Sequence, residues 1–143
     1  MSHISKLNKF IWAFLVLAAL LACSTETPSI PPNQLASGFY DSIIHKDFKK
    51  AVSYYGGERP AEAHIQELQE LEAKLGDLQS YKLQDSEVNT VFSGTRYILT
   101  YRLQYANAKI TELLILFQSV RGGPLHIEHR NYEIKDREKS GSE

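Results

Sequence analysis

The chain is short of several things that would announce an activity. It has one cysteine, Cys23, in 143 residues. That excludes an internal disulfide, so the fold must stand on its core alone. It has no excess of one charge: the formal net charge is −1, which gives no general pull toward nucleic acid or anionic lipid. Lys49-Lys50, Arg96, Arg102, Arg121, Arg130 and Lys135 are scattered and form no run with interleaved aromatics, so no nucleic-acid partner is expected. There is no phosphate-cradling glycine loop and no serine in a nucleophile elbow. No repeat with a period of roughly 20 to 50 residues is visible. The greasiest stretch, residues 10–22, falls short of the roughly 20 apolar residues that a membrane-crossing helix needs. What remains is ordinary for one globular domain, with 43% hydrophobic and 23% charged residues.

The N-terminus is the most readable part. Residues 1–9 are polar and carry Lys6 and Lys9, and residues 10–22, FIWAFLVLAALLA, are uncharged and apolar. A positive start, a short apolar core and small residues at its end read as an export signal over residues 1–22. Leu20-Leu21-Ala22-Cys23 closely resembles the bacterial lipobox. That resemblance implies a diacylglyceryl group on the Cys23 thiol, a cut after Ala22, and acylation of the new amino group, palmitate being the expected chain. The readings set against it are an ordinary secretory signal with a chance cysteine, or a buried core thiol. Two or more acyl chains make anchoring stable, at about 0.8 kcal/mol per buried methylene. In a host with two membranes, Ser24 resembles the residues that permit passage to the outer membrane, facing the periplasm. Residues 23–33 then read as the lipidated cysteine and a tether, with Pro28, Pro31 and Pro32 favouring extended backbone. Such a spacer lifts a domain on the order of 30 Å from the lipid surface.

The globular domain is expected over residues 34–135, with a charged tail at 136–143. Leu35, Phe39 and Ile43, flanked by Ala36, Tyr40 and Ile44, form the stripe of a buried helix that Asn33 could cap. Asp47 can cap a second short helix over residues 48–55, ended by Gly56-Gly57. Pro60 suits the first turn of a third, where Ile65, Leu68, Leu71 and Leu75 keep helical spacing up to Gly76. The glutamates at 62, 67, 70 and 72 are expected to face water.

The period then changes to two. Strands are expected from Tyr81 toward Phe92, through residues 96–105, over residues 110–120, and from Leu125 onward. The last changes parity between Ile127 and Tyr132, which implies a bulge between Glu128 and Asn131. Helices followed by about four antiparallel strands predict an α+β fold, with N-terminal helices packed on a curved, cone-like sheet.

Three segments carry a family resemblance: LASGFYDSIIHKDFKKAVSYY with its HKDF step, LGDLQSYKL entering the first long strand, and the closing GGPLHIEHRNYEI. Over about residues 34–135 the chain resembles the nuclear-transport-factor-like and ketosteroid-isomerase-like superfamily, and within it small envelope domains of unassigned activity. The resemblance implies an open sheet face through which such domains often dimerise. Enzymes of that superfamily use an Asp, His or Tyr pointing into the cone.

The candidates for such a role are few. Asp47 reads as a helix cap and His45 as an exposed helix end. His64 reads as a boundary residue on the third helix. His126 and His129, with Glu128 between them, have the residue types of a metal site, but three apart on a regular strand they point to opposite faces, and only a bulge would let them converge. Tyr97, Tyr101 and Tyr105 share a strand face with Leu99 and Leu103. They pack the sheet under the helices, or line a pocket if the cone holds one. No catalytic residue, metal or cofactor is assigned. The expectation is a lipid-anchored cell-envelope protein acting as a binding or interaction module, with an envelope protein partner or a second copy as partner. The alternative is an envelope enzyme with a cone-shaped pocket for a small apolar molecule.

Overall fold

The computed structural model describes residues 30–134. The expected export signal, Cys23, most of the expected tether and the expected charged tail lie outside the described residues. Among the described residues no helix is long and apolar enough to cross a membrane.

Helix α1 (Pro32–Ile44) begins earlier than expected. Pro32, expected within the tether, is its first residue, because the fixed φ of proline is already helical and its missing N–H is needed by no one there. Pro31, not Asn33, is the cap, and no side chain caps it. The expected stripe is buried: Leu35, Ala36, Phe39, Tyr40 and Ile43.

The HKDF step works as two joined caps. Lys46 sits at φ 61°, in the left-handed region. Its N–H donates to the Ile43 carbonyl (2.9 Å), and the Asp47 N–H donates to the Ser42 carbonyl (2.8 Å). This is the Schellman closure, with lysine where glycine is usual. The Lys46 ammonium meets Glu72 and, at 2.6 Å, Asp77. Asp47 then accepts from the Lys50 N–H (3.1 Å) and caps α2 (Phe48–Val52). Helix α2 is shorter than expected, because residues 53–56 turn away to reach the sheet. The Ile127 N–H donates to the Tyr54 carbonyl (2.8 Å), and the Gly56 N–H donates to the Ile127 carbonyl (3.1 Å). Helix α3 (Ala61–Leu75) buries His64, Leu68, Leu71 and Leu75.

The sheet is a four-stranded antiparallel meander: β1 (Leu78–Val91), β2 (Gly94–Tyr105), β3 (Lys109–Ser119) and β4 (His126–Ile134), in that spatial order. The edge strand β1 carries two register shifts, between Leu78 and Ser80 and between Leu83 and Asp85. Bulges and charged side chains of this kind blunt an edge against further pairing. The inner face alternates as a half-buried sheet should: Leu99, Tyr101, Leu103 and Tyr105 on β2, and Ile110, Glu112, Leu114 and Leu116 on β3, are all buried. In β4 the pairing jumps from His129 opposite Ile115 to Ile127 opposite Leu116, so the extra residue of the bulge is Glu128, at the edge of the expected interval. The jump puts Ile127 and Arg130, three apart, on the same buried face. The aromatic rings of α1 close onto this face, with Tyr40 against Tyr101 (4.8 Å between centroids) and Tyr81 (5.0 Å).

Candidate functional site

Among the described residues, the cone buries an ion pair, and the protein itself fills the space around it. Glu112 is in phase with Ile110 and Leu114 on β3, so the pleat points it inward, and it is 0% exposed. The bulge turns Arg130 toward it. Arg130 Nε donates to Glu112 Oε1 (3.0 Å), and Nη2 donates to Oε2 (2.5 Å). The Tyr40 hydroxyl, from α1, donates to the same Oε1 (2.8 Å). Arg130 Nη1 donates to the Tyr55 hydroxyl (3.3 Å), and the guanidinium lies over the Phe39 ring at 5.1 Å. Two strands and two helix-derived segments are therefore held by one buried ion pair.

Titration follows from burial. Burial, then the Glu112 carboxylate, pushes the Tyr40 hydroxyl well above the usual tyrosine range. Burial also raises Tyr55, against the opposing pull of Arg130. Burial disfavours the charge on Arg130, but Glu112 together with Tyr55 and Tyr40 holds the guanidinium protonated. These groups carry fixed protonation states near neutral pH. Both oxygens of Glu112 are engaged and neither reaches solvent, so it is placed to bind the fold together rather than to exchange a proton with a substrate.

The tyrosine face can now be located. Tyr101 and Tyr105 are 3% and 2% exposed, and Tyr97 is half-buried. Tyr101 packs in the ring cluster with Tyr40 and Tyr81, where burial raises its hydroxyl to about 12. His64 is a correction to the sequence reading. It is not a boundary residue but is 8% exposed, stacked on Tyr55 at 3.9 Å, with Nδ1 unpartnered. Burial and then Arg59 push its imidazole below the ordinary value of 6.5.

The bulge also does what two histidines three apart required. His126 pairs with Phe117 and His129 with Ile115, both on the outer face. Glu128, between them, is held by Arg96 through two hydrogen bonds (2.6 and 2.9 Å), which keep its carboxyl below the usual range. Among the described residues no group of three or more His, Cys, Asp or Glu is arranged to hold a metal ion.

The outer face is mixed. Ile98, Ile115 and Phe117 are half-buried and Leu113 is 37% exposed. Phe92 is fully exposed, and Val120 is 65% exposed. The turns bearing them are tied by a hydrogen bond from the Val120 N–H to the Ser93 carbonyl (3.1 Å). Across β1, β2 and β3 this face also holds an open groove of about 450 Å³, lined by Ser80, Lys82, Arg102, Gln104, Lys109 and Thr111.

No protein-family model matches the chain, and no curated protein matches its sequence. Solved structures match its shape. An NTF2-like protein of unknown function from Pseudomonas putida KT2440 superposes with a TM-score of 0.51 at 10% identity, over 76% of this chain and 87% of that one. The fold is NTF2-like. A protein from Catenulispora acidiphila shares it, with a TM-score of 0.52 at 13% identity over 86% of this chain and 94% of that one. So does Bd1075 of Bdellovibrio bacteriovorus, with a TM-score of 0.50 at 8% identity over 74% of this chain. This chain spans 40% of the length of Bd1075. At these identities the NTF2-like likeness carries the architecture, and the function has to be argued from the site.

Sequence reasoning passed over Glu112 and Arg130, the centre of this NTF2-like interior. The signal was there: Glu112 is in phase with an otherwise apolar inward face, and Arg130 shares the shifted parity of Tyr132 and Ile134.

Proposed function

We propose that this is a lipid-anchored cell-envelope protein whose NTF2-like domain is a binding or interaction module that works through its outer surface. The observation that carries this reading is the contrast between the two faces. Inside, the Glu112 carboxylate is fully buried and bonded on both oxygens. Outside, large apolar side chains stand in water: Phe92 and Val120 at the hairpin turns, and Leu113 on β3. Large apolar side chains left in water on one face favour a contact surface there. The half-buried strip of Ile98, Ile115 and Phe117 beside Leu113 favours a second copy of this chain as one partner, packed face to face. The anchor rests on the lipobox pattern ending in Cys23.

The test has two readouts. In cells fed a palmitate analogue, the full chain should become labelled and partition with membranes, and Cys23→Ser should lose both. An unlabelled wild type would sink the anchor. A photo-crosslinker at Phe92 or Leu113 should capture an envelope protein or a second copy, while one at the exposed Gln69 of α3 should not. Equal capture from both positions would remove the outer face as the recognition surface.

A further inference from the structure

The groove on the outer face has a charge pattern that its own fold does not satisfy. Lys82 of β1 stands directly opposite Arg102 of β2. One row along, Ser80 is opposite Gln104, and Gln104 is opposite Lys109 of β3. Thr111 completes the row of Arg102. These residues share one face and line the open groove of about 450 Å³. Among the described residues, none of Lys82, Arg102 and Lys109 enters an ion pair, whereas Lys46, Arg59, Arg96 and Arg130 each do. In the row of Arg102 the carboxylate is Glu133, one strand beyond Thr111, and in the next row Asp85, opposite Thr100, accepts from the Ser86 N–H (2.9 Å).

A like-charge pair directly across two strands destabilises a sheet. Here it sits in a concavity, with a third cation on the next strand. We propose that the groove is a binding site for a small phosphate-bearing polyanion. Opposed side chains on neighbouring strands start about 5 Å apart at Cβ, so three flexible cationic stems can converge on one ligand. Donors arriving from three strands match a tetrahedral anion with three acceptor oxygens better than a flat carboxylate, whose two oxygens lie in one plane facing a single guanidinium fork. The Ser80 and Thr111 hydroxyls add neutral donors. Gln104 Nε2 is already committed to the Tyr105 carbonyl (2.7 Å). The groove of about 450 Å³ has room for more than one anionic group. This deepens the binding-module reading and is independent of the acyl anchor.

The experiment titrates the full chain in neutral detergent with two probes, inorganic triphosphate and short-chain phosphatidylglycerol. Triphosphate should raise Tm and shift the amide resonances of Ser80, Lys82, Arg102 and Lys109. Its affinity should fall with added salt. The variant Lys82→Gln/Arg102→Gln/Lys109→Gln should fold, with an unchanged or higher Tm, and bind at least tenfold more weakly. A response to phosphatidylglycerol alone, lost in that variant, assigns the phosphate to a lipid headgroup. No response to either probe, or equal responses from variant and wild type, overturns the site. If crosslinking at Phe92 or Leu113 still captures a partner in that event, the interaction-module reading stands without it.

Discussion

Glu112 and Arg130 show how much a single buried pair can commit a fold. Taking two charges out of water is expensive, and the return comes only with good geometry and full satisfaction of the remaining hydrogen-bonding atoms. Both conditions are met: Glu112 accepts three hydrogen bonds, and Arg130 donates to Glu112 and Tyr55. Removing one partner leaves the other charged and dry. Arg130→Met should therefore lower unfolding stability in urea by about 3–5 kcal/mol. The double variant Glu112→Leu/Arg130→Met should recover much of that loss, because two apolar side chains of similar size leave no stranded charge. If the double variant is as unstable as the two single losses added together, the pair is not coupled as described.

At the scale of elements, the hairpins depend on close backbone approach at defined points. Gly94 opens β2 opposite Ser119. A Cβ there would stand 2.2 Å from the Gln118 carbonyl oxygen and 2.6 Å from the Phe117 ring. The carbonyl belongs to the strand backbone and cannot swing aside. Gly94→Ala should therefore cost about 1–3 kcal/mol, the usual range for forced overpacking. The loss should appear first as faster amide exchange at the Gly94 end of β2 and β3. Unchanged exchange there would mean that the two strands yield without separating. Much of this level was legible beforehand. The helical stripe of α1, the Asp47 cap and the alternation of β2 depend on neighbours within a few residues. The start of α1 was missed because Pro31-Pro32 serves a tether and a helix start equally well. The end of α2 was missed because a bridge to Ile127, far along the chain, decides it.

For the molecule as a whole, His64 ties helix packing to pH. It lies on α3 and stacks on Tyr55, which in turn bonds Arg130 on β4. Tyr55, Arg59, Glu67 and Arg130 are the ionisable groups that influence it. The folded imidazole has its pKa below the ordinary 6.5, so at mildly acidic pH the unfolded chain binds the proton more readily. Stability should be full above about pH 6.5 and fall as pH drops below it toward the folded value. The urea midpoint should decline between pH 7 and pH 5, and His64→Phe, which keeps the stack, should flatten that decline. An equal slope in the variant would clear His64 of the effect. The Arg96-paired Glu128, with its pKa lowered, acts in a separate window below about pH 4.5.

The sequence by itself determined the helices-then-strands order, the two faces of β2, the bulge in β4 and the acyl-anchor expectation at Cys23, because each rests on local pattern or a contiguous motif. Only the tertiary structure decided that the cone is closed around Glu112, Arg130, Tyr40 and Tyr55, and that Lys82, Arg102 and Lys109 share one groove. Directly bonded partners among those groups lie as far as 75 residues apart along the chain, in Tyr55 and Arg130. Periodicity can say which face a side chain points to, but only the packed chain says what it meets there.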